Sequence, residues 1–412
     1  MASIRPRSDG RPEPMTDFIG EVFDIWLDGL SRPVRVTHEI LTLFADCFPQ
    51  WPYRILSAGT DPALANITLE EGSGRFRVAA PGQGETTSHR TALNALCDLI
   101  AALPYALADA EPDRLNLHAA GMQVGQGLLL FPAIRRSGKS LLSAALSARG
   151  ARLFSDDVIG LQATMGHPLV GVASGLAPRL RLPLPDTLSP GLRAFIEGAG
   201  GPTNGQYLYP QLPEIAPFGE TAPITSIVML DRAESGRATL EPQSRGTVLK
   251  SLLHQNFRRD RDSAAVMAAL ATLAESAEAL RLAYADPDEA ADLLMRHAEK
   301  VPHRPAPTLR IPNDLEAFVA PDLADPHRSL RRHPNGMIRN LDGDHFAVSR
   351  DGLRIVHLDT GAMRVWTLLA DPISRNGVTE ILSAAFPDTA PERIAADTDA
   401  TLARLGRLGL IH

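Results

Sequence analysis

The chain has 412 residues, enough for two or three domains, and at 44% apolar and 22% charged residues it reads as an ordinary globular protein. A net charge of −7 gives no electrostatic footprint for nucleic acid, and the two cysteines, Cys47 and Cys97, sit in apolar helical patterns as small core residues. No apolar run approaches a membrane-spanning length and no signal-peptide pattern opens the chain, so the expectation is a cytoplasmic protein with no nucleic-acid and no membrane partner.

Residues 1–15 are rich in Pro and Arg without periodicity and read as disordered. Residues 16–115 read as an N-terminal mixed lobe. Phe18–Leu30 and Pro33–Val36 suit short strands, and 38–49 carries helical apolar spacing. Alternation predicts strands at Arg54–Ser57, Ala65–Leu69 and Arg75–Ala79, and apolar spacing predicts a helix over Thr91–Ala108.

Asn116–Val124 and Gly127–Phe131 then read as paired strands leading into a loop that ends in Ser137-Gly138-Lys139-Ser140, followed by a helical pattern over Leu141–Arg149. Strand, loop, Gly-Lys-Ser and helix is the context of a phosphate-binding loop. Amides at the helix start point at the anion, lysine reaches the terminal phosphates and the serine hydroxyl meets Mg²⁺. Arg135 and Arg136 inside the loop either clamp phosphate oxygens or stand as solvated loop charge. Gly150 suits a helix C-cap and Ala151–Phe154 a short strand, after which Asp156 and Asp157 stand side by side. Two carboxylates there suit metal-assisted phosphoryl transfer, one taking a hydroxyl proton and the other holding the cation. A solvated turn is the plainer reading of such a pair.

Short strands follow at Val158–Ala163, Leu169–Ala173 and Leu180–Leu182. Arg179 and Arg181 face the nucleotide, the acceptor or an exposed sheet edge. Residues 183–223 read as a long irregular stretch, Ile224–Leu230 as a buried strand, and Val248–Phe257, Ala264–Leu282 and Glu289–Lys300 as helices closing the domain. Residues 301–333 turn to Pro, Arg and His and read as a linker. In the last segment, 334–412, a hairpin turns at Asp351-Gly352 and three helices follow, over Gly361–Leu369, Val378–Phe386 and Pro391–Leu408.

The residues Leu117-His118-Ala119-Ala120, Gly127–Phe131, Ser137–Ser140, Arg149–Arg152 and Ser155-Asp156-Asp157 together resemble the core of the bacterial HPr kinase/phosphorylase family, and more closely its shorter relatives encoded with peptide-maturation systems. The resemblance implies an α/β P-loop kinase domain of the HPr kinase and phosphoenolpyruvate carboxykinase type over 116–300. It implies phosphate transfer from ATP with Mg²⁺ to a serine hydroxyl. Lys139 and Ser140 would bind phosphates and metal, with Ser137, Gly138 and Leu141 lining the loop. Asp156 would be the base, Asp157 the metal partner, and His118 would lie near the transferred phosphate. Two positions depart from the family pattern: Ala133 replaces the first loop glycine, and Leu141 replaces the acidic residue after the serine.

The order of strands and helices over 340–412, with Leu358–Ala362 at the junction, resembles a PqqD-like domain, a small α+β, winged-helix-like peptide-recognition module of ribosomal-peptide maturation. The resemblance implies a leader peptide extending the edge at Ile355, Val356, His357 and Leu358, with Arg404 on the helix beside it. The combined expectation is an ATP-dependent kinase of a ribosomally synthesised precursor peptide, which is its partner, in an enzyme that can form homo-oligomers. Ala133 and Leu141 motivate the alternative, a non-catalytic nucleotide-binding peptide chaperone.

Overall fold

The computed structural model describes residues 22–59, 62–70, 73–80, 85–111, 113–132, 137–257, 263–302, 304–310, 318–321, 323–334 and 338–412. The expectations for 1–15 and for Ala133, Arg135 and Arg136 lie outside them. The chain divides into two compact units. One holds the residues up to Gln243 with His254–Arg258 and Ser276–Thr308; the other holds Ser244–Leu253, Arg259–Glu275 and Leu309–His412.

In the first unit, the strands Tyr53–Ser57, Val22–Leu27, Val34–Thr37, Ala65–Glu70, Arg75–Ala79 and Thr87–His89 form one sheet in that spatial order. The helices His38–Cys47 and Ala92–Ala110 supply the other half of its core, where Ile25, Val36, Phe44, Ile67 and Leu96 are buried. Ala92–Ala110 is long and apolar enough to cross a membrane, yet 61% of that stretch is buried inside the protein. It is a core helix, begun by the Thr91 hydroxyl accepting the amide of Asn94.

The second layer of this unit is a six-stranded sheet in the order Arg152–Ser155, Ala119–Val124, Gly127–Pro132, Ile224–Arg232, Glu278–Tyr284, Thr239–Pro242. Its three central strands run parallel, and Leu128, Leu130, Ile227 and Val228 are buried on it, as continuous apolar runs require. The helices Lys139–Ser147 and Pro287–Ala298 pack on this sheet around Leu142, Leu146, Ala290 and Leu294. Arg149 bonds Asp288 at 2.9 Å and Asp292 at 2.5 Å, tying the end of the first helix to the second.

Two expectations fail in this unit. Glu278–Leu282, read as the end of a long helix, is part of a central strand: the helix Ser263–Ser276 stops first, and Leu280, Leu282 and Tyr284 turn inward at every second position while Arg281 faces out. Residues 183–223, read as irregular, contain the helix Pro190–Gly198, with Ser189 accepting the amide of Leu192 and Pro at its start.

In the second unit, Ile338–Leu341, Asp344–Val348 and Ile355–Leu358 form an antiparallel sheet with Asp344–Val348 in the centre. The helices Thr360–Leu368, Arg375–Ala385 and Pro391–Arg407 pack with it around Ala347, Leu358, Val365, Val378, Leu402 and Leu405. The first strand of this sheet went unread in the sequence. Ser244–Leu253 also belongs here: the Arg245 amide donates to Asp342 at 2.7 Å and the Lys250 ammonium to Asp344 at 2.6 Å.

Candidate active site

The strand Gly127–Pro132 and the helix Lys139–Ser147 flank the loop, and Gly138 caps the helix start at φ +93°. That conformation favours glycine, and a Cβ there would stand 2.5 Å from the Tyr284 hydroxyl, so side chains are excluded twice over. Tyr284 in turn donates to the Ser137 carbonyl at 3.3 Å. Lys139 is the first helical residue and is 7% exposed. Leu141, the third residue of the helix, is partly buried and packs against the core of the sheet.

The Ser140 hydroxyl donates to Asp156 Oδ2 at 3.0 Å, and the Arg179 amide donates to the same oxygen at 3.1 Å. Asp156 is 8% exposed, and its other oxygen, Oδ1, has no partner among the described residues. Burial first, then the neighbouring charge of Asp157, push the Asp156 carboxyl up to about 6, against the pull of the Arg179 amide, Ser140 and Lys139. Asp157 goes the other way, to about 2: burial raises it, but the His118 hydrogen bond and the charges of His118, Arg179 and Lys139 outweigh that. Its side chain keeps 46% of its surface, so water screens these pairs and their strength is modest. Two adjacent carboxyls held apart in this way suit two different tasks.

His118 stands where the chain leaves one sheet for another. Arg114–Leu117 pairs with Ile159–Gln162, whereas Ala119–Val124 pairs with Gly127–Pro132. Between the two ladders the His118 amide donates to the Gln255 carbonyl at 2.8 Å. Its Nδ1 lies 2.9 Å from Gln255 Oε1, and its Nε2 lies 2.9 Å from Asp157 Oδ1 and 3.3 Å from the Lys139 ammonium. With Nδ1–H donating to Gln255, the neutral ring accepts from Lys139 at Nε2 and the imidazolium donates to Asp157. Either protonation state finds a partner.

The structure thus brings His118, Lys139, Ser140, Asp156 and Asp157 together. Of the two arginines with alternative placements, Arg179 joins them, its guanidinium 3.6 Å from Asp157 and 5.2 Å from the centre of the Tyr207 ring, whereas Arg181 is exposed. The structure also adds Gln255, which no local pattern announces because it lies 137 residues from its partner. Among the described residues no cluster of three His, Cys, Asp or Glu side chains forms a cage for a metal ion. Asp156 Oδ1 and the Ser137 hydroxyl, both without a partner among the described residues, and the Ser140 hydroxyl are nonetheless oxygen ligands of the kind a hard cation requires.

In the second unit, Ile355–Leu358 is an edge strand. The Ser349 amide donates to the Arg354 carbonyl, so alternation along the antiparallel pair leaves the backbone groups of Ile355 and His357 facing away from the sheet. Arg404 donates to the His357 carbonyl at 3.2 Å, and the His357 ring lies 2.8 Å from Asp344. Ile355, Val356 and His357 are half-buried, whereas the Leu358 side chain, expected at the peptide, is 2% exposed and lies in the core. Residues 344–411 match the family model of coenzyme PQQ synthesis protein D (PqqD). The C-terminal segment is a PqqD domain. Its edge strand and the helix bearing Arg404 both fall inside the matched span. No curated protein matches the chain. Among solved structures, the HPr(Ser) kinase/phosphatase from Coxiella burnetii is similar over 45% of this chain and 97% of that one, at 15% identity and a TM-score of 0.25.

Proposed function

We propose that this protein is an ATP-dependent kinase that phosphorylates a hydroxyl, serine by the family resemblance, of a ribosomally synthesised precursor peptide, with the PqqD domain holding the leader. The observation that carries the reading is the convergence on Asp156: a buried carboxyl bonded to the Ser140 hydroxyl beside Lys139 at the start of a helix. Lys139 and the amides of that helix start hold the anionic tail of the nucleotide. Ser140 and Asp157 would hold Mg²⁺, which would supply charge neutralisation on the phosphates. Asp156, raised to about 6, is ionised at neutral pH and basic enough to take the hydroxyl proton. His118 orients Asp157 and shares a proton position with Lys139.

The leader supports this chemistry by proximity. A peptide strand added to Ile355 and His357 keeps its core segment at high effective concentration for the catalytic residues. The test combines the full chain, ATP–Mg²⁺ and a precursor peptide encoded beside it, and weighs the peptide. A gain of one phosphate that disappears in Asp156→Asn supports the kinase. Leader binding with the peptide mass unchanged refutes it and leaves a peptide chaperone.

A further inference from the structure

The edge strand Ile355–Leu358 is not wholly open. The outward carbonyls are those of Ile355 and His357, and the second already accepts from Arg404 at 3.2 Å. A peptide strand extending this sheet needs that same carbonyl, so an incoming amide competes with Arg404 for it.

A guanidinium carries five N–H donors, and here it meets a neutral acceptor. Among the described residues no carboxylate pairs with Arg404. The acids nearby are already committed. Asp399 pairs with Arg375 and Asp397 with Arg393, while Asp344 is held by Lys250 and His357. The two acids flanking the strand are spent locally, Asp351 on the Ser349 hydroxyl and Asp359 on the Ala362 amide. Once displaced, Arg404 therefore needs a partner that this unit does not supply, and leaving it unpaired would cost the hydrogen bond it gave up.

Val356 and Leu358 turn to the side of the strand where Leu402 and Leu405 of the helix Pro391–Arg407 lie. Arg404, on that helix, reaches the edge from the same side. Side chains opposite one another in paired strands share a face, so a peptide residue in register with Val356 turns towards Arg404.

We infer that Arg404 selects the leader: the segment that adds to Ile355 and His357 carries an aspartate or glutamate, in register with Val356, whose carboxylate takes the guanidinium bidentately. The inference rests on the leader-holding part of the function proposed above and names the chemical class of that leader.

The test uses the full chain without nucleotide. The probe is the fluorescein-labelled leader of a precursor peptide encoded beside it, with each Asp and Glu replaced singly by Asn or Gln. Fluorescence anisotropy reads the affinity. One replacement is expected to weaken binding at least tenfold, and Arg404→Gln to do the same. Made together, the two changes cost no more than either alone, because both remove one contact. Arg404→Glu regains most of the lost affinity when that leader position carries Lys, which also shows that the variant is folded. Arg393→Gln, in the first turn of the same helix, changes binding less than twofold. A leader with no acidic residue, equal losses at every acid, or losses that multiply would each overturn the inference. So would two copies of this chain joined at the edge, seen by light scattering as a dimer that Ile355→Pro dissolves and the leader does not. A leader that binds but ignores Arg404 sinks the inference alone; no binding sinks the leader-holding reading with it. The mass of the peptide after incubation with ATP–Mg²⁺ decides the kinase separately.

Discussion

Replacing Asp156 with Asn removes a charge from the most enclosed acidic position of the site and should make the protein more stable while abolishing transfer. Burial and the charge of Asp157 raise this carboxyl from 3.8 to about 6, so the folded protein holds the proton more tightly than the unfolded chain does. A carboxyl shifted in that direction contributes stability below its unfolded value and loses it as pH rises through about 6. At ~1.4 kcal/mol per pH unit, the shift amounts to about 3 kcal/mol of destabilisation at neutral pH. The neutral amide accepts less strongly from Ser140 and the Arg179 amide, which returns about 1–2 kcal/mol of that gain. The net expectation at pH 8 is a variant more stable by about 1–2 kcal/mol, a rise in Tm of about 2–8 °C for a unit of this size. Thermal unfolding of the full chain from pH 4 to 8 tests this. Wild type should hold its advantage, or match the variant, near pH 4, and the variant should pull ahead as pH rises. A variant less stable than wild type at pH 8, or a difference that does not change with pH, refutes the reasoning.

With Asp156 as base, the rate of phosphate transfer should rise with pH through about 6 and then level off; a rate that is flat from pH 5 to 8 in single-turnover assays would exclude that role. Lys139→Met keeps most of the buried volume and removes the charge, and transfer should fall by about 10²–10³-fold with unfolding little changed. Gly138→Ala forces a side chain to φ +93° and against Tyr284, costing about 1–3 kcal/mol in denaturant unfolding and weakening binding of a fluorescent ATP analogue. Ile355→Pro removes an amide that faces away from the sheet at the first position of an edge strand, a place that tolerates proline. Leader affinity measured by fluorescence anisotropy should drop roughly five- to tenfold for the lost hydrogen bond, while unfolding is unaffected.

The elements the sequence announced are those whose signal is local. The strand Gly127–Pro132, the Gly-Lys-Ser and the helix after it, and the acidic pair after the next strand occupy one short stretch, so their order carries their placement. The same holds for the hairpin around Asp351-Gly352 and the three helices that follow it. The strand Glu278–Tyr284 shows where local signals mislead. Its Ala, Leu and Glu residues favour a helix, and only pairing with Ile224–Arg232 on one side and Thr239–Pro242 on the other makes it a strand. Its inward Leu280, Leu282 and Tyr284 already alternated, but the preceding helical run masked that period.

By itself the sequence determined the Gly-Lys-Ser at a helix start, the pair of acids and the PqqD domain, because each is written in contiguous residues. Only the tertiary structure decided how tightly each acid holds its proton. Asp156 is enclosed and bonded to Ser140, whereas Asp157 is half-exposed beside His118 and Arg179. Desolvation and the sign of the nearest charge are properties of a place in space, assembled from residues as distant as Gln255, and no stretch of chain encodes them alone.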